Sequence, residues 1–364
     1  MQKIGLLVGR ENTFPPAFIE HIKNRNLDVV AEYCLLGGSQ LNEPSGYAVI
    51  IDRISHEVPY YRSYLKNAAL EGTVVINEPF WFPADDKFIG SAIAARLGVA
   101  VPRTVALPNH EYIDDITPAS LRNLMFPMPW QQIVDHLGLP IFLKPSVGGG
   151  WKNVYKIHSL EDLIHCYDQT GQLPMIAQES IEFQQYVRCI CLGATHILPM
   201  LYNPGAPFHQ RYEGIGSPAS LGQALYDRII GDAQRLNQAL GYTMNTVEFA
   251  VRDGIPYAID FLNPACDLDQ FSIGQEAFDW ALTTMGDLAI SYAQHGAPSM
   301  HTYRWREMIA DSAATAATVE KASTARTGAP KAAKATPTKD TPVQDVAAVP
   351  VARKRVAKTK SDAS

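Results

Sequence analysis

One stretch of the sequence, residues 141–150, combines residue types suited to binding polyphosphate. An apolar strand pattern ends at Lys144, and three consecutive glycines, Gly148, Gly149 and Gly150, follow shortly after it. Glycine has no Cβ, so its N–H groups can turn toward a phosphate, and a lysine ammonium supplies a compact positive charge. The segment therefore predicts a phosphate-binding loop, with a tight turn beside a surface lysine as the alternative.

Three further groups of polar residues follow one another in a fixed order along the chain. One is a lysine in an Ala-Asp-Asp-Lys-Phe segment, one begins at the end of a predicted strand, and one is acidic and lies on a predicted hairpin. In chain order they are Lys87, then Gln178-Glu179-Ser180-Ile181-Glu182, then Glu248, Asp260 and Asn263.

Arginines are candidates for gripping a phosphate or a substrate carboxylate, because guanidinium matches both groups in a bidentate fork. The candidates are Arg188, Arg211 and Arg53, and each also fits a surface arginine. His209 fits a surface histidine better than a catalyst. The sequence contains no Ser-His-Asp arrangement, and its five cysteines lack zinc-site spacing, which predicts reduced core thiols.

The first hundred residues must position these groups through a small parallel α/β domain, because strand and helix patterns alternate there. The predicted strands are 4–8, 27–34, 47–54 and 73–76, and the predicted helices are 15–25 and 58–71. Asp85 and Asp86 open a further helix that Gly98 stops. We place the domain boundary near residue 100.

Beyond that boundary, residues 101–310 show a mixture of strands and helices around the glycine loop. Predicted strands are 139–144, 153–157, 175–179 and 187–192, a hairpin covers 246–251 and 257–262, and the principal helices are 221–240 and 278–292. Ser159 and Asp162 cap another helix, which Gly171 ends. Residues 108–129 contain four prolines and predict an irregular surface excursion.

Charge is distributed unevenly along the chain. The whole chain carries −6, whereas residues 312–364 carry +6 and residues 1–311 carry −12. An acidic body argues against a nucleic-acid-binding core. The Ala, Lys, Pro and Thr content of residues 311–364 predicts a disordered tail, because such a composition buries too little apolar surface to offset the entropy of ordering.

The amino-terminal residues lead directly into a strand pattern, without an apolar segment long enough for a signal peptide or a membrane helix, so we expect a cytoplasmic protein.

The order of these features resembles that of the ATP-grasp ligases, most closely the glutathione synthetase and ribosomal-protein glutamate ligase type. The resemblance covers roughly residues 1–295 and rests on short motifs. They are Asp52-Arg53-Ile54, Val75-Ile76-Asn77-Glu78-Pro79, Asp86-Lys87, Val101-Pro102-Arg103-Thr104, Leu139-Pro140-Ile141-Phe142-Leu143-Lys144-Pro145 and Gln178-Glu179-Ser180-Ile181.

The implied architecture is α/β and α+β: an N-terminal parallel α/β domain in residues 1–100, an ATP-grasp domain of two α+β subdomains in 101–310, and a disordered tail in 311–364.

The resemblance also implies roles for individual residues. Lys87 and Lys144 contact the α- and β-phosphates of ATP, and the loop of Gly148, Gly149 and Gly150 covers the transferring end. The segment after Gln178 is the hinge, where backbone groups of Glu179 and Ile181 read the adenine edge and the carboxylate of Glu179 or Glu182 accepts from ribose hydroxyls. A solvated loop is the alternative for Glu182. Tyr186 stands where relatives often carry an acidic residue.

Glu248, Asp260 and Asn263 are the implied ligands of Mg2+, with two ions expected. Two strand carboxylates can share ions only if they leave the same face of the hairpin. With a regular two-residue turn at Asp253 and Gly254, Glu248 would lie opposite Ile259, and Asp260 would point to the other face. We therefore predict a three-residue loop.

In that three-residue loop, 252–254, Val251 pairs with Ile255 and Glu248 lies opposite Ala258, so that Asp260 is its diagonal neighbour on the same face. Asn263 fits less well. Relatives place the acid and the asparagine two residues apart, whereas here the spacing is three, so a regular strand would send Asn263 to the opposite face unless Pro264 bends the chain.

The implied reaction is ATP-dependent ligation of a carboxylate to an amine through an acylphosphate, on an amino acid or a small peptide. A second hypothesis, from another class, is a nucleotide-binding protein without catalysis that acts as a partner or scaffold through its basic tail. The tail itself is expected either to bind nucleic acid or another anionic partner, or only to solubilise the protein.

Overall fold

The computed structural model describes residues 1–80, 86–116, 120–125 and 127–297. Its N-terminal part alternates strands and helices, as the sequence predicts, and forms a parallel sheet in the order β2-β1-β3-β4. The elements are β1 (Gln2–Leu7), α1 (Phe14–Asn24), β2 (Val29–Tyr33), β3 (Val49–Asp52), α2 (Pro59–Leu70) and β4 (Val74–Ile76). The prediction of a disordered tail at 311–364 falls outside the described residues.

A second sheet carries the glycine loop. It is antiparallel, in the order β5-β8-β6-β7, and two helices pack their apolar residues against it. Together with the helix that begins at Lys87, these elements are α3 (Lys87–Arg96), β5 (Thr104–Leu107), α4 (Trp130–Leu137), β6 (Ile141–Pro145), β7 (Tyr155–Ile157), α5 (Leu160–Tyr167) and β8 (Met175–Glu179).

Helix α5 begins as predicted but ends early. The Ser159 side chain accepts from the Asp162 N–H at 3.0 Å, which caps the helix. The predicted end at Gly171 is wrong. The carbonyl of Tyr167 accepts from both the N–H and the hydroxyl of Thr170, which closes the helix at Tyr167.

The third sheet is antiparallel, in the order β11-β10-β9-β12-β13, and holds the hairpin with the acidic residues. Helix α7 packs against one face, and α9 packs between the other face and the N-terminal sheet. The elements are β9 (Gln185–Leu192), β10 (His196–Tyr202), β11 (Tyr212–Ile215), α6 (Pro218–Leu221), α7 (Gln223–Leu240), β12 (Met244–Arg252), β13 (Ile255–Asn263), α8 (Gln270–Ile273) and α9 (Gln275–His295).

Two strands of this sheet, β10 and β11, have no counterpart in the sequence prediction. Pro199 lies inside β10 and Gly214 inside β11, and both residue types weaken a strand pattern. Across the described ranges, no helix is both long and apolar enough to cross a membrane. All five cysteines are free thiols, as the sequence predicts.

Candidate functional site

The glycine loop and Lys87 meet, although Lys144 follows Lys87 by 57 positions in the chain. The N–H of Lys87 donates to the carbonyl of Ser146 at 2.9 Å, and its ammonium donates to the carbonyl of Gly148. Asp86 fixes this helix start, because its side chain accepts from the N–H groups of Phe88 and Ile89. The structure thus brings together two of the predicted phosphate-binding elements.

The loop backbone is shaped by its glycines. Gly148 and Gly150 have φ angles of 92° and 74°, which residues with a side chain rarely adopt, and a Cβ added at Gly149 would contact nothing within 4 Å. Trp151, next in the chain, is 64% exposed. The segment is therefore open to a ligand on its outer side.

Lys144 links this loop to the acidic hairpin. Its ammonium donates to the carbonyl of Ile259 on β13 at 3.2 Å. Burial lowers the pKa of Lys144 below its ordinary value; Asp260 and Glu248 oppose that effect, and Lys87 adds to it. An anion bound beside the two lysines would relieve both the burial cost and their mutual repulsion.

The predicted hinge is occupied partly by contacts within the protein. The Gln178 side chain is buried and donates to the Thr104 hydroxyl at 2.9 Å. The Glu179 carboxylate accepts from Arg103 at 3.0 Å and from Arg252 at 3.2 Å. Burial raises the pKa of Glu179, but these hydrogen bonds outweigh that effect and hold the pKa below its ordinary value.

These contacts narrow the choice of nucleoside-binding groups. The N–H of Glu179 donates to the carbonyl of Arg103 at 2.9 Å and is not available to an adenine. Ile181 is buried and packs against Tyr186. Glu182 is exposed and, among the described residues, makes no ion pair, so of the two ribose candidates it is the carboxylate that the protein leaves open.

The hairpin turn differs from the prediction. Arg252 pairs with Ile255, so the loop has two residues, Asp253 and Gly254, with φ angles of 53° and 73°. The three-residue loop is therefore wrong. Positive φ at both positions gives a turn whose twist matches that of antiparallel strands, and Asp-Gly is a favoured sequence for it.

The hairpin nevertheless places its carboxylates together. Phe249 pairs with Ala258, where Glu248 was predicted, and the register then shifts so that Glu248 pairs directly with Asp260. A bulge at Ile259 provides this shift, and it also presents the Ile259 carbonyl that Lys144 contacts. Glu248 and Asp260 therefore share a face despite the two-residue turn.

A second irregularity accounts for the unusual spacing of Asn263. Asn263 pairs with Thr246, which lies two residues before Glu248 and hence on the same face of β12. The three-residue spacing between Asp260 and Asn263 is thus absorbed by an extra residue in β13 rather than by a bend at Pro264.

The donor set fits Mg2+. Two carboxylates and an amide residue on one face offer the ligand types that this ion takes, with water and phosphate oxygens completing its shell; the Asn263 Oδ1 also accepts from the Ala265 N–H at 3.3 Å. Burial raises the pKa of Glu248; the Arg188 guanidinium opposes that effect and the Asp260 carboxylate reinforces it, so a cation between the carboxylates would be stabilising. Within the described ranges, no three His, Cys, Asp or Glu residues cluster so that they could hold a metal. The present set contributes two residues of those types, Glu248 and Asp260, and an asparagine.

Arg188 lies beside this face. Its Nε is 3.3 Å from a Glu248 carboxylate oxygen, and its guanidinium lies over the rings of Tyr202 and Tyr212, 5.2 Å and 5.8 Å from their centroids. The Tyr186 hydroxyl donates to the other Glu248 oxygen. Tyr202 and Tyr212, which contact Arg188, were not predicted as site residues. The sequence drew attention only to Tyr186, because relatives often carry an acidic residue at that position.

The other two arginine candidates lie elsewhere. Arg211 donates to the carbonyl of Ala206 at 3.0 Å, in the connection between β10 and β11. Arg53 is buried; it binds Glu11 through two nitrogens and donates to the carbonyl of Cys266 at 2.7 Å. These partners occupy Arg53, so a gripping role for it is not supported. His209 is exposed beside Gln210, as predicted.

No protein-family model matches the chain. One curated relative, the carbamoyl phosphate synthase large chain of Deinococcus deserti, is 24% identical over 193 residues. That match covers 49% of this chain but spans only 17% of the length of the synthase chain.

Solved structures resemble the chain over most of its length. The D-Ala:D-Ser ligase VanG of Enterococcus faecalis has a TM-score of 0.60 and 16% identity, covering 80% of this chain and 99% of its own. A RimK domain ATP-grasp protein of Sphaerobacter thermophilus has a TM-score of 0.56 and 15% identity, covering 79% and 99%. The ATP-grasp ligase PsnB, solved with a minimal precursor, Mg and ADP, has 0.54 and 12%, covering 80% and 98%.

Proposed function

Because this chain has the ATP-grasp fold, we propose that it is an ATP- and Mg2+-dependent, ADP-forming carboxylate–amine ligase acting on an amino acid or a small peptide. The observation that carries the proposal is the junction at Lys144, whose ammonium lies at the end of the glycine-loop strand and contacts the bulge beside Asp260. Positive charge for phosphate and oxygen ligands for Mg2+ are thus adjacent.

In the proposed reaction, a substrate carboxylate oxygen attacks the γ-phosphorus of ATP. The bond from that phosphorus to the bridging oxygen breaks, and ADP leaves with the electron pair. The amine then attacks the acyl carbon of the acylphosphate, the bond from that carbon to the phosphate oxygen breaks, and the amine loses a proton as inorganic phosphate leaves. The products are an amide, ADP and phosphate.

The first step brings two anions together, so the protein must supply positive charge in a cleft that excludes water. In this proposal Lys87 and Lys144 hold the α- and β-phosphates, and Arg188 stabilises charge on the transferring group. The loop of Gly148, Gly149 and Gly150 covers that group. Because Lys144 and Arg188 are held by β-strands, they need little reorganisation when charge develops.

We assign the metal-binding and nucleoside-binding roles from the positions of the residues in the structure. Glu248, Asp260 and Asn263 are the residues that would hold Mg2+, which when bound neutralises charge on phosphate oxygens; we expect two ions. The backbone of Ile181 and the carboxylate of Glu182 are assigned to the adenosine, beside Gln178 and Glu179, which order the hinge. Arg211 is a second candidate for a substrate carboxylate.

The compared proteins support this class of reaction. VanG is a ligase of D-Ala and D-Ser, and PsnB is an ATP-grasp ligase solved with Mg and ADP. The similarity supports the fold, and the chemistry is inferred from the groups placed on it.

The proposal is tested by incubating purified full-length protein with ATP, Mg2+ and pooled amino acids, and following ADP. We expect ADP release that depends on the pool and is lost in Lys144→Met, because the charge-assisted phosphate contact is removed. Lys156→Met is the matched control, since Lys156 is exposed on β7 of the same sheet. Tight ATP binding with no ADP from any pool would instead favour a nucleotide-binding partner protein.

A further inference from the structure

Strand β13 carries an extra residue between two of the proposed metal ligands. From the Glu248–Asp260 pair to the Thr246–Asn263 pair, β12 advances by two residues and β13 by three. The extra residue returns the Asn263 position to the Asp260 face, whereas residues three apart in a regular strand face opposite sides. It also interrupts the backbone ladder locally.

The side-chain amide of Asn245 spans this interruption. Its Oδ1 accepts from the N–H of Asn263 at 2.9 Å, and its Nδ2 donates to the carbonyl of Phe261 at 2.8 Å. The same Nδ2 donates to Oδ1 of Asn237 on α7 at 2.8 Å. Asn245 and Asn237 are both fully buried. One amide therefore supplies the acceptor and the donor on either side of the extra residue.

A primary amide is suited to this position. Buried backbone N–H and C=O groups need partners, and an amide offers both kinds of group in one plane, as a neighbouring strand would. A leucine of similar size offers neither, so β13 would gain by sliding into a regular ladder. That slide would turn Asn263 away from Glu248 and Asp260.

We propose that Asn245 is a positioning residue for Mg2+ binding: by bridging the bulge it holds Asn263 on the face of Glu248 and Asp260. The inference rests on the proposed function, because it takes those three residues as the metal ligands. Asn245 acts through its contact with Asn263 and is not itself a proposed ligand of the ion.

The test measures Mn2+ affinity by the electron paramagnetic resonance signal of free Mn2+, with full-length protein and ADP. We expect Asn245→Leu to weaken Mn2+ binding by about 10- to 100-fold, the usual effect of losing a residue that orients a ligand. Val247→Ala is the matched control, since Val247 is buried two residues along the same face of β12. It should lower the melting temperature and leave Mn2+ affinity at the wild-type value.

A double-mutant cycle separates positioning from general damage. Asn263→Ala should weaken Mn2+ binding, and adding Asn245→Leu to it should cause little further loss, because the two residues act through one contact. Additive losses would overturn the proposal, as would wild-type affinity in folded Asn245→Leu. If that variant does not fold, Asn245→Asp keeps the acceptor for Asn263 and loses the donor to Phe261, and the same cycle is run with it.

The two proposals fail differently. Wild-type protein that binds ADP but no Mn2+ would refute the metal site and this inference together. Mn2+ binding by wild type that is unchanged in the folded Asn245 variants would refute only the inference and leave the ligase proposal standing.

Discussion

Two arginines with little solvent exposure, one just after β3 of the N-terminal sheet and one on β9 of the C-terminal sheet, have very different surroundings. The Arg53 side chain is 2% exposed and binds Glu11 through two nitrogens, the carbonyl of Cys266, and the Met244 sulfur at 3.3 Å. The Arg188 side chain is 14% exposed and has one carboxylate at 3.3 Å; within the described part of the chain, its Nε makes no hydrogen bond.

This difference in partners indicates that Arg53 is a structural cation, whereas the Arg188 guanidinium can still contact a ligand. Arg53 uses its donors on two groups far apart in the chain, the Glu11 carboxylate and the Cys266 carbonyl, so it ties the connection after β1 to the segment that follows β13. Arg188 donates from one Nη to the Tyr202 hydroxyl at 3.3 Å and lies beside Glu248; the ring faces of Tyr202 and Tyr212 also hold the guanidinium, and those ring contacts consume no N–H group.

The pKa shifts of the buried cations follow the same division. Burial lowers the pKa of Arg53, but its hydrogen bonds and charge interactions with Glu11 and Cys266 together raise it more, so its net shift is upward and the folded protein favours its charge. For Lys144 burial prevails and the net shift is downward. The contacts of Arg53 thus favour its charged form, whereas burial disfavours the charged form of Lys144, a cost that a bound anion would offset.

The largest effect is expected at the contact of Arg53 with Glu11 and Cys266. Arg53→Met should lower the free energy of unfolding by about 3–5 kcal/mol, because it leaves the Glu11 carboxylate without its partner. Urea unfolding measures this. Protein that remains folded should keep wild-type ATP affinity, and Arg53→Met combined with Glu11→Leu should recover part of the loss. A loss of ATP affinity at unchanged stability would instead place Arg53 in the site.

Arg188→Met should show the opposite pattern. We expect ADP formation to fall by about 10²- to 10³-fold, the usual effect of removing one donor that stabilises developing charge. The melting temperature should change much less than in Arg53→Met. Turnover and thermal unfolding of the two variants are measured side by side, and equal turnover of Arg188→Met and wild type would remove Arg188 from the mechanism.

Two glycines of the loop should respond differently to substitution. Gly149→Val should lower turnover about tenfold while largely sparing nucleotide affinity, because a covering loop matters most as charge transfers and the open Gly149 position accommodates a side chain. Gly148→Val, at a φ of 92°, is the strained counterpart and should reduce both quantities. ATP titration and steady-state turnover distinguish them. Equal loss of affinity and turnover in Gly149→Val would make the loop part of a static pocket.

The smallest effect is expected in the pH dependence of stability. Because the folded pKa of Lys144 lies below its ordinary value of 10.5, the unfolded chain binds a proton that the folded protein lacks in the window between them, and stability rises with pH there. In metal-free protein, Lys144→Met should therefore be more stable than wild type near neutral pH, and its advantage should shrink as pH approaches 10.5. Melting temperatures across that range test the sign, and a widening difference would contradict it.

Local sequence predicted much of this arrangement. The alternation of apolar runs gave the N-terminal parallel sheet, Asp86 and Ser159 gave their helix starts, and the strand leading to Lys144 gave the position of the glycine loop. Each of these depends on residues within a few positions of one another, so the sequence carries the information directly. Strands β10 and β11 were missed because Pro199 and Gly214 hide their pattern.

The partner of each charged side chain could not be predicted from local sequence. Glu179 and Arg53 both resemble ligand-binding residues by position, and tertiary contacts commit them to Arg103, Arg252 and Glu11 instead. Such pairing depends on which elements dock together, and no short window contains both partners.

By itself, the sequence determined which residues could bind phosphate and metal and on which kinds of element they lie. The tertiary structure alone decided that Glu248, Asp260 and Asn263 share one face. Counting residues from the turn gave the wrong loop, because pairing was taken as regular and two irregularities change it. Register in a hairpin is a balance between ladder hydrogen bonds and contacts from outside it, and here those contacts come from Lys144 to the carbonyl of Ile259 and from Asn245 across the extra residue of β13.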